Sequence, residues 1–242
     1  MEDQVTVESP GMTVVRRMIG VFTAPRATFS SLVASTNVVD IVIPMVVMLV
    51  LSLGTQSLIR PIAIEEQTQK ILQRDDIPDD QKEIMLDRME EMTGRMSGPV
   101  GYLIGIGVTV GWYAIMAGVL MFFGAFILGG QAPFNDTVAV VAYAQLVSIL
   151  ELIIKVPLML QTQTIQVETG LALLLPASMD TSLLYRFFHR LDFFSIWRIF
   201  LMAMGMALLY RVNEKRARLI LFGAWALAMF LLAWLIDGSG IS

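Results

Sequence analysis

Glu151 and Lys155 stand four residues apart inside an apolar run, TVAVVAYAQLVSILELIIKVPLML at 137–160. The run is long enough to cross a hydrocarbon core of about 30 Å as a helix. At that spacing the two side chains share one helical face. A charge at membrane depth is expensive and is normally turned toward protein or water. This span should therefore face other spans, with the rest of the chain packed around it. Counted from the loop to the next span, Glu151 lies roughly 14 Å deep and Arg198 roughly 10 Å deep, at a rise of 1.5 Å per residue. The depths nearly match, so Glu151 is expected to pair with Arg198, with Lys155 as second partner. Two uses follow: an ion pair that fixes helix register, or a polar path for an ion or substrate. With no second carboxylate deep in a span to form a relay, the ion pair is the preferred reading.

Other residue types point to less chemistry. Cysteine is absent, which excludes disulfides, thiolate metal sites and cysteine nucleophiles. His189 is the single histidine, so no histidine-cluster metal site forms. His189, Arg190 and Asp192 gather before an apolar run, with Ser195 three residues on. Without a placed nucleophile they do not make a hydrolytic site; Ser195 reads as a capping or packing residue. Met85, Met89, Met92 and Met96 fall on one helical stripe. Methionine could hold a soft metal, but as adaptable filler it reads as a packing surface, one expected to meet a partner or the membrane. Asp75, Asp76, Asp79 and Asp80 lack the spacing and glycine of a calcium loop. No phosphate-binding loop or dinucleotide fingerprint is present. No catalytic residue, metal, cofactor or nucleic-acid partner is expected.

The elements that would position these residues are apolar helices. The chain has 242 residues, of which 56% are hydrophobic, above the 45–50% or so of soluble domains. Spans are expected at about 38–59, 99–128, 137–160, 192–210 and 219–236. Arg60 and Pro61 should end the first. The second carries Gly107, Gly111, Ala114 and Gly118 at helical spacing, and such small residues let backbones approach closely in lipid; it should be the tightly packed helix. A turn, GGQAPFND, joins it to the third span, which Asn135 or Asp136 can cap. The four tryptophans, Trp112, Trp197, Trp225 and Trp234, suit helix packing or the membrane interface. Residues 61–97 form a polar outer loop with ten acids against five bases, helical after a start that Asp79 or Asp80 can cap. Residues 161–190 form a second outer segment whose apolar centre, LALLLP, is too short to cross.

Residues 1–11 are polar and acidic, and lack the basic and apolar regions of a signal peptide; they read as a disordered cap. From Met12 to Val33 the segment is basic and amphipathic, and too polar to span. It should lie in the headgroup plane, presenting Arg16 and Arg17 to lipid or a partner. Orientation follows from basic residues in short loops. Arg16, Arg17 and Arg26 precede the first span, and Arg211, Lys215, Arg216 and Arg218 lie between the fourth and fifth. Five spans put both groups on one side, the cytoplasmic one, and the acidic loop and C-terminus outside.

Three stretches resemble the Ypt/Rab-interacting protein (Yip) family: VFTAPRATFSSLV, GGQAPFNDTVAVVAYAQLVSILELI and LDFFSIWRIFLMAMGMALLYRVNEKRA. Together with the five-span layout they cover roughly residues 15–237. The resemblance implies an all-α bundle of five transmembrane helices with a cytoplasmic N-terminus, and it implies no enzyme. Eukaryotic members are trafficking factors that bind prenylated Rab GTPases. The compact form here is more similar to the bacterial branch, whose members accompany MacB-like ABC exporters.

The expected organisation is thus a cytoplasmic amphipathic segment at 1–37 and a five-span domain at 38–237 in the cell's inner membrane. The expected function is a non-enzymatic accessory or scaffold subunit of a transport complex, most simply a MacB-like ABC exporter. Its partners would be the bilayer, a transporter permease or a second copy of the chain. The alternative is a small channel or a lipid or ion transporter built on Glu151, Lys155 and Arg198. GTPase-linked trafficking is a minor third.

Overall fold

A computed structural model describes residues 12–167, 170–171 and 183–235. The expectations for residues 1–11, for most of LALLLP and for the C-terminal residues from 236 onward lie outside the described residues. Ten α-helices are described: α1 (Val14–Thr23), α2 (Pro25–Ala34), α3 (Val38–Leu72), α4 (Asp79–Met96), α5 (Pro99–Phe126), α6 (Phe134–Gln145), α7 (Val147–Thr162), α8 (Leu183–His189), α9 (Phe193–Leu209) and α10 (Glu214–Leu235).

Four helical stretches are long and apolar enough to cross a membrane: α3, α5, α6 with α7, and α10. The apolar α9 is shorter, at 17 residues. The α6–α7 stretch has 56% of its most apolar window buried, against 17%, 17% and 11% for α3, α5 and α10. It is therefore the helix around which the others pack. Every residue from Thr137 to Ala144 is buried, wrapped by α2, α3, α5 and α9. The alanines and Thr137 of TVAVVAYA permit this, since small side chains let neighbouring backbones come close, while Tyr143 fills the space between them. The approach to α9 is close: a methyl group added to Gly205 would run into the Val140 side chain.

Several expectations are corrected. The third span is one stretch, but its regular helix is interrupted at Leu146, where Leu146 N–H donates to the Tyr143 carbonyl and Ile149 N–H to the Leu146 carbonyl, a three-residue spacing that tightens the turn. Neither Asn135 nor Asp136 caps it; the helix begins at Phe134 after Pro133. Asp79 and Asp80 likewise sit inside the first turn of α4, after Pro78, where they suit the positive end of the helix dipole.

Arg60 and Pro61 do not end α3, which runs through Pro61 and has 35 residues in all. At about 1.5 Å per residue that is roughly 52 Å, well beyond a hydrocarbon core of about 30 Å, so its polar end projects clear. Glu66 fastens this end: its carboxylate accepts from Thr164 Oγ1, the Ile165 amide and Gln166 Nε2 at 2.8–2.9 Å and pairs with Lys70 at 2.9 Å. The Lys70 contact first, then the Ile165 amide, hold its carboxyl down at about 2.

The second span is not tightly packed through its small residues. On α5 the residues buried against the bundle are Tyr113, Ala117, Leu120 and Gly124. Gly107, Gly111 and Gly118 have open space where a Cβ would stand, and Ala114 is exposed. The reason is rotational: α6 meets the face centred on Ala117, and the glycine stripe is turned away from it. The methionine stripe is mostly uncovered too. α4 has no buried residue; Met89 is half-buried, whereas Met85, Met92 and Met96 are exposed.

Candidate functional site

The first polar site lies between α7 and α9. Glu151 Oε1 receives Lys155 Nζ at 2.6 Å and its Oε2 receives Arg198 Nη1 at 2.9 Å. Arg198 also donates to Ser148 Oγ at 2.7 Å and to Ser195 Oγ at 2.8 Å. The Ser195 hydroxyl donates to Asp192 Oδ2 at 2.6 Å, and the Ser195 amide donates to Asp192 Oδ1 at 2.9 Å. Lys155 Nζ lies 5.9 Å from the centre of the Phe194 ring. Glu151, Lys155 and Arg198 are thus together, and a second carboxylate, Asp192, joins them through Ser195. Two cations face two carboxylates, so the cluster is charge-balanced. Its three main side chains keep 16–22% of their surface exposed.

Beside this cluster is a cavity of about 850 Å³. α5 packs on α6 and α10 packs on α9, and the space between α5 and α10 is left open. Trp112, Met116 and Phe123 line one side, Trp225 and Met229 the other, with Gln145, Ser195 and Arg198 as the polar part of the wall.

The second polar site was not foreseen and overturns the reading of Arg17. Instead of facing headgroups, Arg17 is buried between α1, α2 and α3. Its Nη1 stands 2.8 Å from Asp40 Oδ1, with 4% and 1% of the two side chains exposed. It donates four hydrogen bonds to the backbone and hydroxyls of Ser31 and Ser35. Asp40 also accepts from the Asn37 amide at 3.0 Å and from Tyr143 Oη on α6 at 3.3 Å. The pair therefore ties the N-terminal helices to the central one. Val21, Phe29 and Leu32, fully buried, complete that contact. Arg16 remains exposed, as do Val15 and Ile19. The available signal was Asp40 itself, a carboxylate at the start of an apolar run. Arg26 of α2 pairs with Glu214 at the start of α10, 3.2 Å apart, so the basic segments before the first span and after α9 do meet at one end of the bundle.

Apolar helices of spanning length, wrapped around a buried central helix with compensated charges inside, define a multi-pass α-helical membrane protein. The family is shown by a match of the Yip1 domain to residues 19–235; the chain belongs to that family. Comparison with curated proteins and with solved structures gives no match.

Proposed function

We propose that this Yip1-family chain is a non-enzymatic accessory subunit that holds or modulates a membrane transport complex, most simply a MacB-like ABC exporter. In this reading α9 is the fourth of five spans, in the cell's inner membrane. The end bearing α1, α2 and the start of α10 is cytoplasmic by its basic residues, and α4 stands outside. The observation that carries the reading is α4. It is an 18-residue helix in a polar loop with nothing buried, yet it exposes Ile84, Met85, Met92 and Met96. An uncovered apolar stripe rimmed by charge is characteristic of a protein-interaction surface, and methionine adapts to varied partners. Compensated charge in both buried clusters also supports a scaffold over an ion path.

The test is crosslinking in native membranes with a photoreactive residue at position 92, followed by purification in mild detergent. A transporter permease or its adaptor joined at that position in stoichiometric yield is the expected result. Crosslinks only to lipid, or to a second copy of the chain, would count against it.

A further inference from the structure

The cavity between α5, α9 and α10 has the size of a ligand site, since such pockets occupy roughly 300–1,000 Å³. Its walls are apolar except for Gln145, Ser195 and Arg198; Arg198 contacts Ser195 and Ser148, and Gln145 stands three residues before Ser148. Two of these have unspent hydrogen-bonding capacity. Gln145 is half-buried, and among the described residues its amide has no partner. Arg198 commits Nη1 to Ser148 and Glu151 and Nη2 to Ser195, leaving its Nε–H without a described partner. Unsatisfied amide and guanidinium N–H groups at membrane depth are costly, so an occupant that supplies an acceptor is favoured.

We propose that this cavity is a binding site for one bilayer glycerolipid, with an acyl chain between α5 and α10 and an ester carbonyl accepting from Gln145 and Arg198. Three features select this ligand. Exposed Trp112, Ile115 and Phe122 of α5 line the cavity, so its rim reaches the apolar surface of the bundle, where the surrounding medium is hydrocarbon. The ionic cluster is already neutral, with Lys155 and Arg198 against Glu151 and Asp192; it favours an uncharged acceptor over a carboxylate or phosphate. α9, at 17 residues, is only about 25 Å long, shorter than the roughly 30 Å core. A short helix thins the bilayer locally and brings the ester level down toward Arg198. The inference stands apart from the scaffold reading, because the site needs no protein partner.

The probe is phosphatidylcholine brominated on its acyl chains, in vesicles holding single-tryptophan forms of the full chain that retain Trp225 or Trp234. Trp225 lines the cavity, and Trp234 is an exposed reference on the same helix. After exchange into unbrominated vesicles, quenching at Trp225 should persist while that at Trp234 disappears at once. Gly118→Leu fills the cavity from a position with open space for a side chain; it should abolish the persistent quenching and the lipid that copurifies. Gln145→Leu should reduce retained lipid about five-fold, the loss expected of one hydrogen bond. A diether analogue without ester carbonyls loses the bonds to both Gln145 and Arg198 and should be retained more weakly still. Immediate loss of Trp225 quenching would overturn the proposal. So would equal retention in a folded Gly118→Leu protein, equal retention of the diether lipid, or free fatty acid as the copurifying species.

Discussion

The Arg17–Asp40 and Arg198–Glu151 pairs are built from the same chemistry and sit in opposite surroundings. Arg17 is closed in by α1, α2 and α3, its donors taken up by two serines and one carboxylate. Arg198 borders an open cavity, with about a fifth of its side chain exposed. The sealed pair loses all solvation on folding and depends on complete hydrogen bonding; stripping one partner leaves a charge with nowhere to go. The bordering pair can exchange partners with whatever enters beside it. Enclosure, and not residue type, separates a structural pair from one that can meet a ligand.

Removing the sealed carboxylate tests that difference most severely. Asp40→Ala should cost about 3–5 kcal/mol, read as a large drop in the unfolding midpoint in detergent. The paired change Arg17→Met with Asp40→Leu should recover much of it. If Asp40→Ala is no worse than Glu151→Ala, the contrast fails.

The glycines sharpen the same contrast between a packed and an open side. Gly205→Ala meets Val140 and should cost about 1–3 kcal/mol by overpacking. Gly111→Ala, with open space at its Cβ, should stay within about 0.5 kcal/mol. A Gly111→Ala protein as damaged as Gly205→Ala would mean that the exposed face of α5 is covered in the assembled protein.

At the cavity, Arg198→Glu should lower stability by about 2 kcal/mol, the scale of a lost charged hydrogen bond. Reversal at Glu151 as well, Glu151→Arg, should restore most of it. A folded double variant without recovery would show that the two residues are not energetically coupled.

Glu66, outside the bundle, should give the smallest effect. Its carboxyl is held at about 2 against an ordinary 4.5. A depressed acid contributes stability fully above its unfolded value, and that contribution fades as pH falls from about 4.5 toward 2. Glu66→Gln should therefore cost about 1 kcal/mol at neutral pH and flatten the acid limb of a pH–stability curve. An unchanged acid limb would show that the clamp carries no such energy.

Local pattern alone determined the apolar helices, the central place of the run at 137–160, and the meeting of Glu151 with Lys155 and Arg198. Helical rise and periodicity fix depth and face along a single segment, so two charges at matching depth on neighbouring apolar segments can be paired without knowing the fold. The same reasoning misread Arg17, because its partners Ser31, Ser35 and Asp40 lie on later elements and only the folding of α1 and α2 onto α3 encloses it. It misread Pro61 because the cost of an interior proline, about 3 kcal/mol, is judged locally, whereas α3 continues through it to the end that Glu66 anchors. The glycines of α5 look alike in sequence; Gly124 approaches Tyr210 while Gly107 and Gly111 meet nothing. That difference, like the cavity beside α5, belongs to the tertiary structure alone. A helix's own periodicity offers several apolar faces, and the positions of its neighbours decide which one is buried.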